Sequence, residues 1–396
     1  MSAHQEKIEY VKKELSPKVL QIGLLLTFVG LIISAAAYFV EPTRAAFMNL
    51  VLLMFLISVG LGSLFMIALE YLAGAVWSAP YRRVIEIIAS ILFILPLVAL
   101  PVYFNMHDIF HWTHSQVVEK DAALSSKSGY LNITFFSIRI IFFFLLWILF
   151  YRILHRNSVK QDFSADQSLT KKNIKWSAVF MPFFAITVTF SAIDWIMSLE
   201  PHWFSTIFGV YYFSGTVLAG LATATLAIVL LNKNGYLVKG ITEEHYYSLG
   251  ALLFAFINFW AYIAFSQFLL IWYANLPEET FWFLSRWEGS WLYFTIGLAF
   301  VHFVIPYFGL LSQPSKMNEK RLLFMSIWIL VAHFYDLYWL IMPTYSKGKF
   351  VFGWMELGFI LLGFGLVILM FVLFSKNKNL VAVGDPKLKR GLDFRL

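Results

Sequence analysis

The stretch Ser191–Ser214, SAIDWIMSLEPHWFSTIFGVYYFS, gathers a carboxylate (Asp194), an imidazole (His202) and two indoles (Trp195, Trp203) between two long apolar runs. An acid, a base and flat rings at a greasy entrance suit a lipid-soluble substrate that carries protons. A Trp at a helix end is also an ordinary interface anchor, so the indoles alone fit both readings. Asp194 fits anchoring poorly, because a carboxylate just inside an apolar slab is costly unless partnered. Arg139, about two turns into the preceding apolar run, is the candidate partner. Such a pair either contacts substrate or fixes packing. Asp194, His202, Arg139 and Trp203 are the candidates for a site at this surface.

Two further groups carry ionisable residues inside apolar sequence. His302 lies on one run, and His333 and Asp336 on the next, at i and i+3 of one helix face. Counted at helical rise, both histidines lie roughly 17–20 Å deep, so they can face each other. Three readings stay open: a proton relay, bis-histidine haem ligation, or polar glue between helices. Glu70, Arg82, Arg83 and Glu86 are expected to cluster at the opposite end, as a proton entry or as a solvated salt-bridge knot. His107, His111 and His114 fall at i, i+4 and i+7, the spacing of one helix face. No carboxylate or thiolate spacing completes a metal site there, so no metal is expected and an interfacial helix is.

These residues need elements that cross a membrane. Of 396 residues, 60% are apolar and 13% charged, and the mean hydropathy is +0.73. Ten runs of 20 or more mostly apolar residues are expected to span: about 18–40, 46–72, 84–104, 131–153, 174–197, 206–231, 246–272, 289–312, 322–344 and 354–375. The first 18 residues are polar and lysine-rich and the first run is long enough to cross, so no cleaved signal is expected. Residues 4–17 are expected to form a short surface helix ended by Pro17. There is no cysteine, which excludes disulfides, thiolate metal sites and iron–sulfur ligation by this chain. Any electron acceptor would sit on another subunit or on a histidine-ligated cofactor.

The net charge of +7 is an orienting charge rather than a nucleic-acid patch. With the N-terminus inside, 23 of the 30 Lys and Arg fall in inner segments, 6 in outer loops, and Arg139 within a span. The positive-inside rule then puts both termini in the cytoplasm. The fold expected is an all-α integral membrane protein of ten transmembrane helices: two four-helix bundles, spans 2–5 and 6–9, as a parallel repeat, with spans 1 and 10 peripheral. The organisation reads as an N-terminal segment 1–17, the first peripheral helix and spans 2–4 over 18–153, a cytoplasmic loop 154–173, span 5 with the second bundle and span 10 over 174–375, and a tail 376–396. Loop 275–291, with three tryptophans among Glu278, Glu279, Arg286 and Glu288, reads as an outer docking surface.

AIDWIMSLEPHWFSTIFGVYYF, WSAPYRR and AFINFWAYIAFSQFLLIWYANLPEETFW with RWEGSW resemble the membrane subunits of bacterial alternative complex III, in the NrfD/polysulfide-reductase membrane-subunit family. The resemblance runs from about residue 20 to 375 and implies two four-helix bundles in the bacterial inner membrane. It further implies a subunit of a quinol:electron-acceptor (cytochrome c) oxidoreductase in the respiratory chain, with no redox cofactor of its own. The partners implied are an iron–sulfur subunit, c-type haem subunits, a paralogous ten-span subunit and, in some assemblies, a terminal oxidase, besides membrane lipid. The sequence resembles the paralogue remote from the iron–sulfur cluster, so no catalytic quinol residue carries over. On this reading Asp194, His202, Arg139 and Trp203 become quinone-site candidates. Glu70, Glu86, His302, His333 and Asp336 become proton-path candidates, with Arg82 and Arg83 in the inner charge cluster. A structural scaffold, a secondary transporter and a b-type cytochrome remain the alternatives.

Overall fold

A computed structural model describes residues 10–164 and 166–396. Those residues form helices and no strand, and ten helices are long and apolar enough to cross a membrane. They are α1 (Pro17–Val40), α2 (Pro42–Ala73), α3 (Arg82–Phe104), α4 (Ile133–Ser164), α5 (Gln167–Trp195), α6 (Phe208–Lys233), α7 (Glu243–Ala274), α8 (Trp291–Gly309), α9 (Glu319–Tyr345) and α10 (Trp354–Ser375). This is a multi-pass membrane protein.

Burial ranks the helices. The most apolar stretch of α2 is 94% buried and that of α6 83%, against 17% for α1. α2 and α6 therefore form the centre, and small residues let them meet. A Cβ on Gly62 would strike the Thr216 carbonyl and Gly220, and one on Gly220 would strike the backbone of Gly62. In lipid there is no hydrophobic drive between helices, so close backbone approach supplies the packing. α5, α7 and α9 flank α6, while α3, α5, α9 and α10 flank α2. α1 packs mainly on α10, through Gly30, Gly358 and Gly365.

Two helices carry internal irregularities. α3 passes through a 3-10 turn at Ala89–Phe93 just before Pro96. α8 holds a π-helical turn, Ala299–Val304, ahead of Pro306, whose missing N–H breaks the regular ladder. His302 sits in that turn.

Several expectations are corrected. Residues 4–9 of the expected surface helix lie outside the described residues, and 10–16 are irregular. Pro17 starts α1 rather than ending a helix, as its fixed φ favours the first turn. The expected loop 154–173 is mostly helix: α4 runs to Ser164, and α5 starts at Gln167 with Asp166 accepting from the Ser168 N–H. Polar residues do not stop a helix that leaves the apolar slab, so hydropathy understates its length. The three loop histidines do not share a helix, because the chain is extended at Phe110 between short turns at Met106–Ile109 and His111–Thr113. There His114 Nε2 lies 2.8 Å from the His107 carbonyl.

Candidate functional site

At the Asp194 end, α4 and α5 lie side by side. Arg139 donates to both Asp194 oxygens at 2.9 Å, and the Tyr130 hydroxyl donates to Oδ1 at 2.8 Å. The guanidinium also lies over the Tyr130 ring at 3.9 Å and the Phe135 ring at 4.4 Å. Asp194 is fully buried and Arg139 nearly so. A cavity of about 380 Å³ opens beside this group, lined by Lys127, Tyr130, Met197, Trp203 and Phe204 among others. Tyr130 faces it; Asp194 and Arg139 stand behind Tyr130 and do not line it. Burial, then the Asp194 carboxylate, raise the Tyr130 phenol well above its ordinary value, so toward a ligand it stays a hydroxyl.

Of the sequence candidates here, His202 takes another part than expected, while Trp203 stands at the cavity. His202 is half exposed, with Nε2 2.6 Å from Asp121, so it does not join Asp194 as an acid–base pair. Trp203 lines the cavity but is no surface anchor. It is 1% exposed, donates to the Glu279 carbonyl at 3.1 Å and stacks on Trp282 at 4.4 Å.

In the interior, α8 and α9 do bring His302, His333 and Asp336 together, with ligand atoms within 4.8 Å of one another. Tyr211 and Trp260 donate to the two Asp336 oxygens, at 2.5 and 3.1 Å. Trp260 stacks on His302 at 3.6 Å. A Cβ at residue 215 would come within 2.9 Å of the His333 ring, so Gly215 makes room for it. Both ring nitrogens of both histidines are buried without a hydrogen-bond partner. Polar glue requires partners, and these imidazoles have none among the described residues. The donor set is one a divalent cation can use. Yet a metal-bound imidazole normally donates its second nitrogen to a partner, and that outer shell is missing. Four open imidazole nitrogens and a carboxylate suit protons and water better.

At the opposite end, the charge cluster is buried rather than solvated, which corrects the surface-knot reading. Arg82, Arg83, Glu70 and Glu86 are each at most 2% exposed. Arg82 bonds Glu70 at 3.0 Å and Asp385 of the tail. Arg83 forms an ion pair with Glu86 at 2.9 Å and donates to Asp162 at 2.9 Å and to the Ser158 carbonyl at 3.0 Å. His155 Nδ1 lies 3.1 Å from Glu86. Glu70 Oε1, Glu86 Oε1 and His155 Nε2 remain buried without partners. Between this cluster and His333, on α2, α6 and α9, Ser63, Thr225 and Ser326 carry buried hydroxyls without partners. The tail is fastened here as well, through the Gly391 carbonyl 2.8 Å from His245 Nε2.

Loop 275–291, expected to be an outer docking surface, is only partly exposed. Glu278 and Glu288 are exposed, but Arg286 is 1% exposed and lies over the Trp282 ring at 3.4 Å. It donates to the carbonyls of Trp282, Trp339 and Leu340. Burial pushes its guanidinium down to about 9, still protonated at neutral pH. Sequence reasoning missed Tyr130, Tyr211, Trp260, His155, Asp162 and Asp385. The aromatic residues among them look like packing in a chain that is 19% aromatic, and nothing local to His155, Asp162 or Asp385 signals a partner on α3.

No protein-family model matches the chain, and no curated protein matches it.

Proposed function

We propose that this chain is the quinone-binding, proton-conducting membrane subunit of a quinol:electron-acceptor oxidoreductase, with no redox cofactor of its own. Two four-helix bundles, α2–α5 and α6–α9, meet at α2 and α6, with α1 and α10 peripheral. The subunit lies in a bacterial inner membrane with both termini cytoplasmic, beside iron–sulfur and c-type haem subunits and a paralogous ten-span subunit. The observation that carries this reading is the interior cluster of His302, His333 and Asp336, whose four open ring nitrogens a packing role would have satisfied. Ionisable groups at such depth are expensive to keep and mark proton relays and ion paths.

Protons enter from the cytoplasm at Glu70, Glu86 and His155, whose open atoms lie at that end. The buried hydroxyls of Ser63 and Ser326 sit on the helices that carry Glu70 and His333, and that of Thr225 on α6, which carries Tyr211. Water joining such groups completes a relay of the ordinary kind. Asp194 and Arg139 set the orientation of Tyr130, which offers its phenol to a ring in the 380 Å³ cavity.

The test is the assembled complex in proteoliposomes, with quinol as donor and a soluble electron acceptor. His333→Ala is expected to leave electron transfer near the original rate and to lower the number of protons moved per electron. An unchanged stoichiometry would reduce the cluster to packing and leave the scaffold alternative. A Soret band that stays with this subunit alone would favour the b-type cytochrome.

A further inference from the structure

A second cavity, of about 400 Å³, lies in the other half of the molecule, between α7, α8, α9 and the short helix Pro277–Leu284. Its inner end is made by Tyr211 and Trp260, the two residues that donate to Asp336. Trp282 and Trp339 form a wall, and Phe265 and Trp287 rim the mouth at 60% and 38% exposure. Phe265 belongs to the apolar outer surface of α7 and Trp287 to the turn after the short helix, so in a bilayer the mouth opens at the edge of the hydrocarbon. Gln267 also lines the cavity; it is 2% exposed, and its Oε1 has no partner. Behind the Trp282–Trp339 wall stands Arg286, with no carboxylate in ion-pair distance among the described residues.

Each feature narrows the occupant. A mouth of Phe265 and Trp287 admits molecules from lipid and not polar solutes from water. An acyl chain fills apolar space but leaves the Gln267 oxygen stranded, at the cost of a buried unsatisfied acceptor. Flat indole walls suit a flat ring, and about 400 Å³ holds one ring or two fused rings with the start of a tail. The Tyr211 proton is already committed to Asp336, so its oxygen faces a ligand as an acceptor, as does Gln267 Oε1. Two acceptors match a ring carrying two hydroxyl donors. The Arg286 charge, with no carboxylate at ion-pair distance among the described residues, favours electron-rich oxygen at that wall.

We infer that this second cavity binds the ring of a membrane quinol, with Gln267 and Tyr211 accepting from its hydroxyl groups and the hydrocarbon tail leaving past Phe265. The inference rests on the quinone reading above and deepens it, placing a ring two hydrogen bonds from Asp336 by way of the Tyr211 hydroxyl. The stacked Trp203–Trp282 pair separates this cavity from the one beside Tyr130.

The test is photolabelling of the complete complex in lipid nanodiscs with an azido-substituted benzoquinol bearing a decyl tail, followed by peptide mapping. Label is expected on α7 and on residues 277–287, displaced by excess decyl-benzoquinol. Gln267→Leu is expected to lower that label by about tenfold, the loss of one well-placed hydrogen bond. Ala264→Phe, which narrows the cavity without removing a polar group, is expected to lower it as well. Both variants are checked for an unchanged elution profile, and label in the cavity beside Tyr130 serves as the internal control. Label confined to the Tyr130 cavity overturns this inference and leaves the proposed function standing. Label displaced equally well by a short-chain phospholipid makes the cavity a lipid crevice, and unchanged labelling of Gln267→Leu removes its assigned contact; either overturns the inference. No displaceable label in either cavity overturns both readings.

Discussion

Replacing Asp194 by Asn separates a catalytic carboxylate from one that holds a neighbour in place. In the structure Asp194 accepts three bonds of 2.8–2.9 Å, two of them from Arg139, and it is fully buried. Asn keeps the shape and one acceptor oxygen but removes the charge, so Arg139 is left buried and uncompensated. Breaking a buried ion pair from one side costs about 3–5 kcal/mol. The retained oxygen and the contacts of Arg139 with Tyr130 and Phe135 place the expected loss near the lower end, about 3 kcal/mol. Replacing both members, Arg139→Met with Asp194→Leu, removes the charge problem and is expected to cost no more than about 1 kcal/mol. A double-mutant cycle built from Arg139→Met, Asp194→Leu and the two together, read as resistance to denaturation in mild detergent, should then show a coupling of about 2 kcal/mol or more. Quinol turnover should fall in Asp194→Asn in step with the loss of a fixed Tyr130. Tyr130→Phe, which leaves the ion pair intact, should lower turnover with stability nearly unchanged. Additive stability effects, or an Asp194→Asn variant as stable as the original but without turnover, would refute the reasoning and make Asp194 the reacting acid.

Other expectations follow from the same geometry. Gly220→Leu forces a side chain into the Gly62 backbone and is expected to cost at least about 1–3 kcal/mol; yield of folded protein on size-exclusion chromatography reads it. Glu356→Gln weakens the bonds of 2.8 and 2.9 Å from Arg44 that tie the start of α10 to the start of α2. A loss of about 1.5–3 kcal/mol is expected in thermal unfolding. Asp121 is held below its ordinary value, chiefly by the hydrogen bond from His202. Because the folded value is depressed, the stabilisation is present above about pH 4 and is lost as pH falls through the folded value. Amide exchange over residues 115–127 should quicken as pH falls through that range, after correction for intrinsic rates. His202→Ala should show the faster exchange already near neutral pH, and identical profiles would count against the pairing.

The amino-acid sequence by itself determined the number of spans and the type of every one. Crossing about 30 Å of hydrocarbon takes some 20 apolar residues in a row, a condition that is local to each segment. It also singled out the costly groups, because Arg139, Asp194, His302, His333 and Asp336 stand out against apolar neighbours and their spacing placed them at matching depths. What each group touches was decided only by tertiary structure. Arg82 and Arg83 are buried because Asp385, Asp162 and Glu86 close over them, and two of those three lie far along the chain. His202 turns to Asp121 and away from Asp194, although chain distance favours the latter. Tyr211, Trp260 and Gln267 acquire meaning only because α6, α7 and α9 converge on Asp336 and on one cavity. Hydropathy adds up residue by residue, whereas hydrogen bonds depend on which helix faces meet. Those faces are set by close approaches such as Gly62 on Gly220, which no single segment specifies.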